Sequence, residues 1–136
     1  MIESTPNILV IKSAKSELHK VQKFISDVFA SHQLNKECFN KVFLCISEAT
    51  INSIVHGNKG DYNKKVELWV DCKTHLISVS ITDEGDGFDV DNLPNPTKKE
   101  NLLKESGRGI HIIKTIAKHI SFNEKGNRLQ FDIECK

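Results

Sequence analysis

Ser47-Glu48-Ala49-Thr50-Ile51-Asn52-Ser53-Ile54-Val55-His56-Gly57 is the stretch on which the fold turns. Glu48, Asn52 and His56 follow at i, i+4 and i+8, and each step drifts only about 40° around an α-helix, so the three share one face. Leu44 and Val55 flank that stripe on one side, Cys45 and Ala49 on the other. A helix apolar nearly all round belongs mostly to an interior, where a carboxylate is costly unless paired or bound. Two readings stay open. Glu48 is a satisfied structural residue, alone or paired with Asn52 along the helix, or it is a general base beside a hard cation, for which Glu next to Asn is the minimum equipment.

Outward from this helix the pattern is regular. Asn35 is placed to cap it, Cys38, Val42, Phe43, Ile46, Ala49 and Ile54 are its apolar positions, and Gly57, Gly60 and Asn63 punctuate its end. Upstream, Asn7 to Ser13 reads as a first strand. From Ser16 the spacing of Leu18, Val21, Phe24, Ile25, Val28 and Phe29 predicts a helix that fades between His32 and Asn35. Downstream, KVELWVDC and HLISVSITD are strand-like and joined by a short link, which predicts an antiparallel hairpin. Helical periodicity returns from Arg108 to Ile120. Residues 120–123 and 128–133 close the chain as a hairpin about Lys125-Gly126-Asn127. The order β-α-α-β-β-loop-α-β-β predicts an α+β fold: a two-layer sandwich with about three helices on one face of a mostly antiparallel, mixed sheet.

Composition bounds the function. The 136 residues fit one domain, 1–136, and 38% hydrophobic with 27% charged residues is globular. Nineteen basic against eighteen acidic residues exclude a strongly charged nucleic-acid or membrane-surface binder. The longest apolar run, Val42 to Ile46, is far too short to span a bilayer, and no signal peptide is visible, so a cytoplasmic protein is expected. Cys38, Cys45, Cys72 and Cys135 form no CxxC or zinc-like spacing, and reduced thiols are expected for all four.

Two further segments carry chemistry. Asp83-Glu84-Gly85-Asp86-Gly87-Phe88 stands where a strand gives way to a long loop, so Asp83 is held by scaffold while facing a pocket, and Gly85 and Gly87 permit close backbone approach. The bland alternative is a tight acidic turn; Asp83, Asp86 and Asp89 recur every three residues but fail the EF-hand template. Ser106-Gly107-Arg108-Gly109-Ile110 opens the third helix, whose free N–H groups and positive dipole end suit phosphate oxygens. It is neither a Walker A loop nor a G-x-G-x-x-G. Between the two lies a long non-periodic stretch, residues 84–106, of the kind that forms lids.

Taken in order, the Glu/Asn helix, the strand-end Asp-x-Gly-x-Gly-Phe, the long loop and the Gly-x-Gly at a helix start resemble the N-box, G1 box and G2 box of the GHKL ATPase superfamily, whose fold is the Bergerat sandwich. With SEATINSIVHG as N-box and a short chain, the resemblance is closest to the bacterial anti-sigma-factor serine kinases. It implies ATP and Mg²⁺ as cofactors. Glu48 would be the general base, Asn52 would hold Mg²⁺ at the phosphates, and Asp83 would accept the adenine amino group beside Gly85 and Gly87. Ser106, Gly107, Arg108, Gly109 and Ile110 would line the triphosphate, and residues 84–106 would be the ATP lid. For His56 a packing role is expected. The family's last hairpin often carries Gly-Thr, with the Thr near adenine; here Gly126-Asn127-Arg128 stands instead, and Asn keeps the capacity to hydrogen-bond.

The resemblance further implies a protein serine kinase that binds a sigma factor and phosphorylates a STAS-type anti-anti-sigma protein on serine, usually as a homodimer, with no direct nucleic-acid or membrane contact. Two alternatives stand beside it. One is a nucleotide-binding anti-sigma or signalling module without catalysis, against which Glu48 argues, since a pure binder needs no base. The other is a histidine-kinase-type catalytic domain acting in trans.

Overall fold

The computed structural model describes residues 7–32, 34–73, 75–85 and 106–135. In chain order the elements are β1 (Asn7–Lys12), a 3₁₀ turn (Lys15–Glu17), α1 (Leu18–His32), α2 (Lys36–Asn52), a π turn (Ser53–Gly57), β2 (Lys65–Lys73), β3 (Leu76–Asp83), α3 (Ser106–Ile116), β4 (Lys118–Phe122) and β5 (Arg128–Glu134). The five strands lie in the order β1-β2-β3-β5-β4, and every neighbouring pair is antiparallel. The α+β sandwich expected from the sequence is therefore present, with an antiparallel rather than mixed sheet among the described strands.

Strand alternation explains the layering. Val66, Leu68, Val70 and Cys72 of β2 are buried, while Lys65, Trp69 and Lys73 are exposed. Ile77, Val79 and Ile81 of β3 and Leu129, Phe131 and Ile133 of β5 join the same buried face. Onto it pack Val21, Ile25, Val28 and Phe29 of α1, Val42, Cys45, Ile46 and Ala49 of α2, and Ile113 of α3. Each Val, Leu, Ile or Phe side chain so removed from water contributes about 1.5–3 kcal/mol before entropy is counted. Among the described residues the other face carries the exposed Ile8, Val10 and Trp69 at the β1–β2 edge.

Helix ends follow local chemistry. The side chain of Asn35 accepts the Glu37 N–H at 2.7 Å and caps α2, as its position predicts. At the far end α2 widens into the π turn, and the backbone N–H groups of Asn58 and Gly60 reach back to the carbonyls of Ser53 and Ile54. The third helix departs from expectation at both ends. It starts at Ser106, two residues early, and stops at Ile116 rather than Ile120. Lys118 to Phe122 instead pairs with β5 as an edge strand, with an irregularity between Lys118 and Ser121 where His119 adopts φ +54°. Isoleucine spacing suits helix and strand alike there, and the open edge of β5 supplies the hydrogen-bonding partner that decides it.

The expectation of four free thiols is corrected. Cys38, in the first turn of α2, and Cys135, just past β5, form a disulfide with Cα atoms 5.5 Å apart across 97 residues of chain. Packing of the α2 start over the end of β5 brings them together, which no local spacing reveals. Cys45 and Cys72 are free and buried. Among the described residues no helix is long and apolar enough to cross a membrane.

Candidate nucleotide-binding site

The site lies at one end of the sheet, where the last residue of β3, Asp83, stands opposite Val66 at the start of β2. Asp83 is a buried carboxylate. Its Oδ1 accepts the Gly85 N–H at 2.8 Å, and the Ser53 hydroxyl donates to the same carboxylate from the π turn. Burial pushes its pKa up, and these two hydrogen bonds only partly offset that. The backbone beneath it is bare. A Cβ on Gly57 would overlap the Asp83 carboxylate, and one on Gly85 would overlap the Gly57 carbonyl. Gly57 thus does more than end a helix, which is all its sequence position conveyed.

The second part of the site joins α2 to α3. Glu48 and Asn52, one turn apart on α2, are half-buried. Gly109 in the first turns of α3 sits directly against them: a Cβ there would stand 2.9 Å from Glu48 Oε2 and 3.4 Å from Asn52 Nδ2. The Asn52 Nδ2 atom is buried and has no partner among the described residues. A buried donor without a partner costs on the order of 1–3 kcal/mol, so it invites an acceptor from beyond them, such as a ligand. Asn52, at the end of α2, is followed at once by Ser53, which binds Asp83, so the π turn links the two parts.

The structure therefore brings Glu48, Asn52 and Gly109 together, and Asp83 together with Gly85. Ile110 follows Gly109 on α3 and packs against the core. Ser106, Gly107 and Arg108 form the opening turn of α3, of which only the helical backbone is described, and Gly87 and residues 86–105 of the expected lid lie outside the described residues. His56 is exposed, so the packing role expected for it is not what the fold uses; the π turn rotates it to the surface. Sequence reasoning missed Asn58, which is 1% exposed and hydrogen-bonded to three separate segments. Asn directly after His-Gly in a buried turn was the available signal.

The donor set bears on cations. Among the described residues no three His, Cys, Asp or Glu side chains cluster to hold a metal. A half-buried carboxamide and one carboxylate suit instead a hard ion that brings phosphate oxygens and water with it, as Mg²⁺ does.

Comparison with known proteins agrees with this geometry. A family model described as histidine kinase-like ATPase domain matches residues 11–133. Serine-protein kinase RsbW of Bacillus subtilis is 29% identical over 79 residues, covering 54% of this chain and 49% of that protein. Anti-sigma F factor of the same organism is 33% identical over 82 residues, covering 57% and 55%. Anti-sigma F factor of Clostridium beijerinckii is 29% identical over 101 residues, covering 71% and 70%. The chain thus spans about half the length of the first two relatives. A crystal structure of the RsbU and RsbW domains of a Mycobacterium tuberculosis protein superposes with a TM-score of 0.62 at 11% identity, covering 98% of this chain and 32% of that one, which speaks for the fold. With the buried strand-end Asp83, the Glu48–Asn52 pair and the family match running almost end to end, the chain belongs to the histidine kinase-like ATPase domain family.

Proposed function

We propose that this protein is a Mg-ATP-dependent protein serine kinase that acts as an anti-sigma factor, binding a sigma factor and phosphorylating an anti-anti-sigma protein of the STAS type on serine. The observation that carries the reading is the seating of Gly109 against Glu48 and Asn52. It joins a candidate base, a candidate cation ligand and a helix N-terminus at one point, while Asp83 offers a buried acceptor nearby. The relatives named serine-protein kinase RsbW and anti-sigma F factor support serine as acceptor and a sigma factor as partner, while the anti-anti-sigma substrate follows from the family resemblance alone.

In this reading Asp83 accepts the amino group of adenine, while Gly85 and Gly87 let the base lie close to the backbone. The free N–H groups at the start of α3 receive the phosphate oxygens, with Ser106, Gly107, Arg108, Gly109 and Ile110 lining the triphosphate. Asn52 holds Mg²⁺ through its carboxamide oxygen; when bound, the ion neutralises phosphate charge. Glu48 takes the proton of the attacking serine hydroxyl as its oxygen bonds to the γ-phosphorus and the bond to the leaving ADP breaks. Residues 84–106 serve as the lid, residues 1–136 as a single cytoplasmic domain. The exposed Ile8, Val10 and Trp69 supply apolar area for a homodimer.

The test is a thermal-shift titration with Mg-ATP and Mg-ADP on wild type and Asp83→Asn. Ligand at about 100 times Kd adds roughly 2.7 kcal/mol, a rise of several degrees. A rise in wild type that vanishes in the variant supports the pocket. No rise at millimolar nucleotide sinks the kinase. Acid-stable phosphate on the partner then marks serine rather than histidine as acceptor.

A further inference from the structure

One peptide group in the site is gripped from both sides by asparagines from distant parts of the chain. Between Asp83 and Glu84, the carbonyl of Asp83 accepts the Asn127 side-chain amide at 2.9 Å. The N–H of Glu84, on the other side of the same peptide, donates to Asn58 Oδ1 at 2.8 Å. Asp83 is further tied by its own N–H, which donates to the Asn127 carbonyl at 2.9 Å. The N–H and carbonyl of Asp83 and the N–H of Glu84, three backbone groups that orient the Asp83 Cα–Cβ bond, are therefore held by these two residues.

Both asparagines are themselves held. The Nδ2 group of Asn58 donates to Ser13 Oγ at 2.6 Å and to the Lys65 carbonyl at 2.9 Å, while Ser13 Oγ donates to the Lys64 carbonyl at 2.8 Å. Asn58 thereby ties the end of β1 and the start of β2 to the exit of β3. The Asn127 Oδ1 atom accepts from Asn123 Nδ2 at 2.7 Å, and the Asn127 backbone N–H donates to Asn123 Oδ1 at 3.0 Å. The ladder between β3 and β5 ends at the pair Thr82 and Arg128. Beyond it the Asn127 side chain supplies the donor that a further strand residue would have given. With its amide on the Asp83 backbone carbonyl and its side-chain oxygen on the Asn123 amide, Asn127 is engaged within the protein rather than left for a ligand.

We infer that Asn58 and Asn127 are positioning residues that fix the aim of the Asp83 carboxylate, and that the discrimination of adenine from bases lacking its amino group depends on this clamp. The inference rests on the reading of Asp83 as adenine acceptor. Asn127 acts through Asp83 rather than by touching the base, so the residue in the usual Thr position serves the pocket indirectly. An acceptor discriminates only where its lone pair is held on the donor's line; a carboxylate free to swing gives up that selectivity and leaves the phosphate contacts unchanged.

The experiment measures Kd for Mg-ATP and Mg-ITP, which carries an oxo group where adenine has its amine, in wild type, Asn58→Ala, Asn127→Ala and Asn127→Asp. Asn127→Asp keeps size but turns an acceptor toward the Asp83 carbonyl. The expected result is a fall of about tenfold in the ATP-over-ITP preference in each variant, with ITP affinity nearly unchanged. A merely structural role would lower Tm and weaken both nucleotides together, leaving the preference at its wild-type value, and that outcome overturns the clamp. Should Asn58→Ala fail to fold, the half-buried Asn127 decides alone. Wild type that binds neither nucleotide overturns the adenine reading and the clamp together; wild type that prefers ATP beside variants that prefer it equally overturns the clamp only.

Discussion

The carboxylate of Asp83 rests on the bare α-carbon of Gly57, so closely that a methyl group on Gly57 would occupy the same space. The contact couples the end of the α2 segment to the end of β3, and Gly85 closes it from the other side by packing on the Gly57 carbonyl. Gly57→Ala is therefore expected to push Asp83 out of place. Overpacking of this kind costs about 1–3 kcal/mol, and nucleotide affinity should fall at least tenfold. Gly60→Ala is the control. Gly60 has φ +70° and nothing within 4 Å of its would-be Cβ, so it should lose on the order of 1 kcal/mol from backbone strain and keep its nucleotide. Paired denaturation and binding curves check both; equal affinity loss in the two variants would refute the contact's role.

Asp83 also predicts a pH dependence. Burial raises its pKa against the Gly85 and Ser53 hydrogen bonds, so the native state holds the proton to higher pH than the unfolded chain does. Between the two pKa values the native form binds more protons. Stability from this group is thus highest in acid and is lost as pH rises through the native value. Asp83→Asn removes the cost of the buried charge while keeping an oxygen for Gly85 and Ser53. It should match or exceed wild type in Tm at neutral pH, with the difference shrinking in mild acid, even as nucleotide binding disappears. A variant less stable than wild type at neutral pH and equal to it in acid contradicts this sign.

The parts legible in the sequence are those set by short-range pattern. Alternation in β2, the 3–4 spacing of α1 and the Asn35 cap all depend on residues within two turns of one another. Glu48, Asn52 and Asp83 were legible because their types and element positions are chemically unusual. Asn58 was not, because its value lies in reaching Ser13, Lys65 and Glu84 at once. Nor was the contact of Gly57 with Asp83, nor the meeting of Cys38 and Cys135; each is a product of tertiary packing. The end of α3 was misread for a related reason: what makes residues 118–122 a strand is pairing with β5, a tertiary partner that the local pattern around Ile116 does not reveal.

Gly109 offers a separation of chemistry from folding. A Cβ there meets Glu48 Oε2, the movable end of a long side chain, rather than backbone. Alanine is also the better helix former by about 1 kcal/mol. Gly109→Ala should therefore keep or raise Tm while displacing Glu48 from its position beside Asn52. In the proposed kinase, phosphotransfer is expected to fall by about 10²-fold, as for loss of a general base, with a much smaller change in Kd for Mg-ADP. Single-turnover assays beside ADP titrations measure this; a drop in ADP affinity as large as the drop in rate would place the damage in binding rather than at the base.

The cysteines divide into two classes with opposite expected behaviour. Burial, with the Glu48 charge adding to it, pushes the Cys45 thiol up to about 11, and burial also raises Cys72. The thiolate is the reactive form, so neither should alkylate in the native state at neutral pH, and both should react once the chain is unfolded. Cys38 and Cys135 instead close a loop spanning 97 residues, and a link of that span stabilises by about 2–5 kcal/mol, chiefly by restricting the unfolded chain. Reductant should lower Tm by roughly 10 °C in wild type and leave the Cys38→Ser, Cys135→Ser double variant unchanged. In a reducing cytoplasm the same pair would stand as two thiols, and the lower Tm is then the working value. Mass spectrometry of alkylated native protein with and without reductant reads out all four residues together. Labelling of Cys45 in the folded state, or a Tm indifferent to reductant, would count against this division.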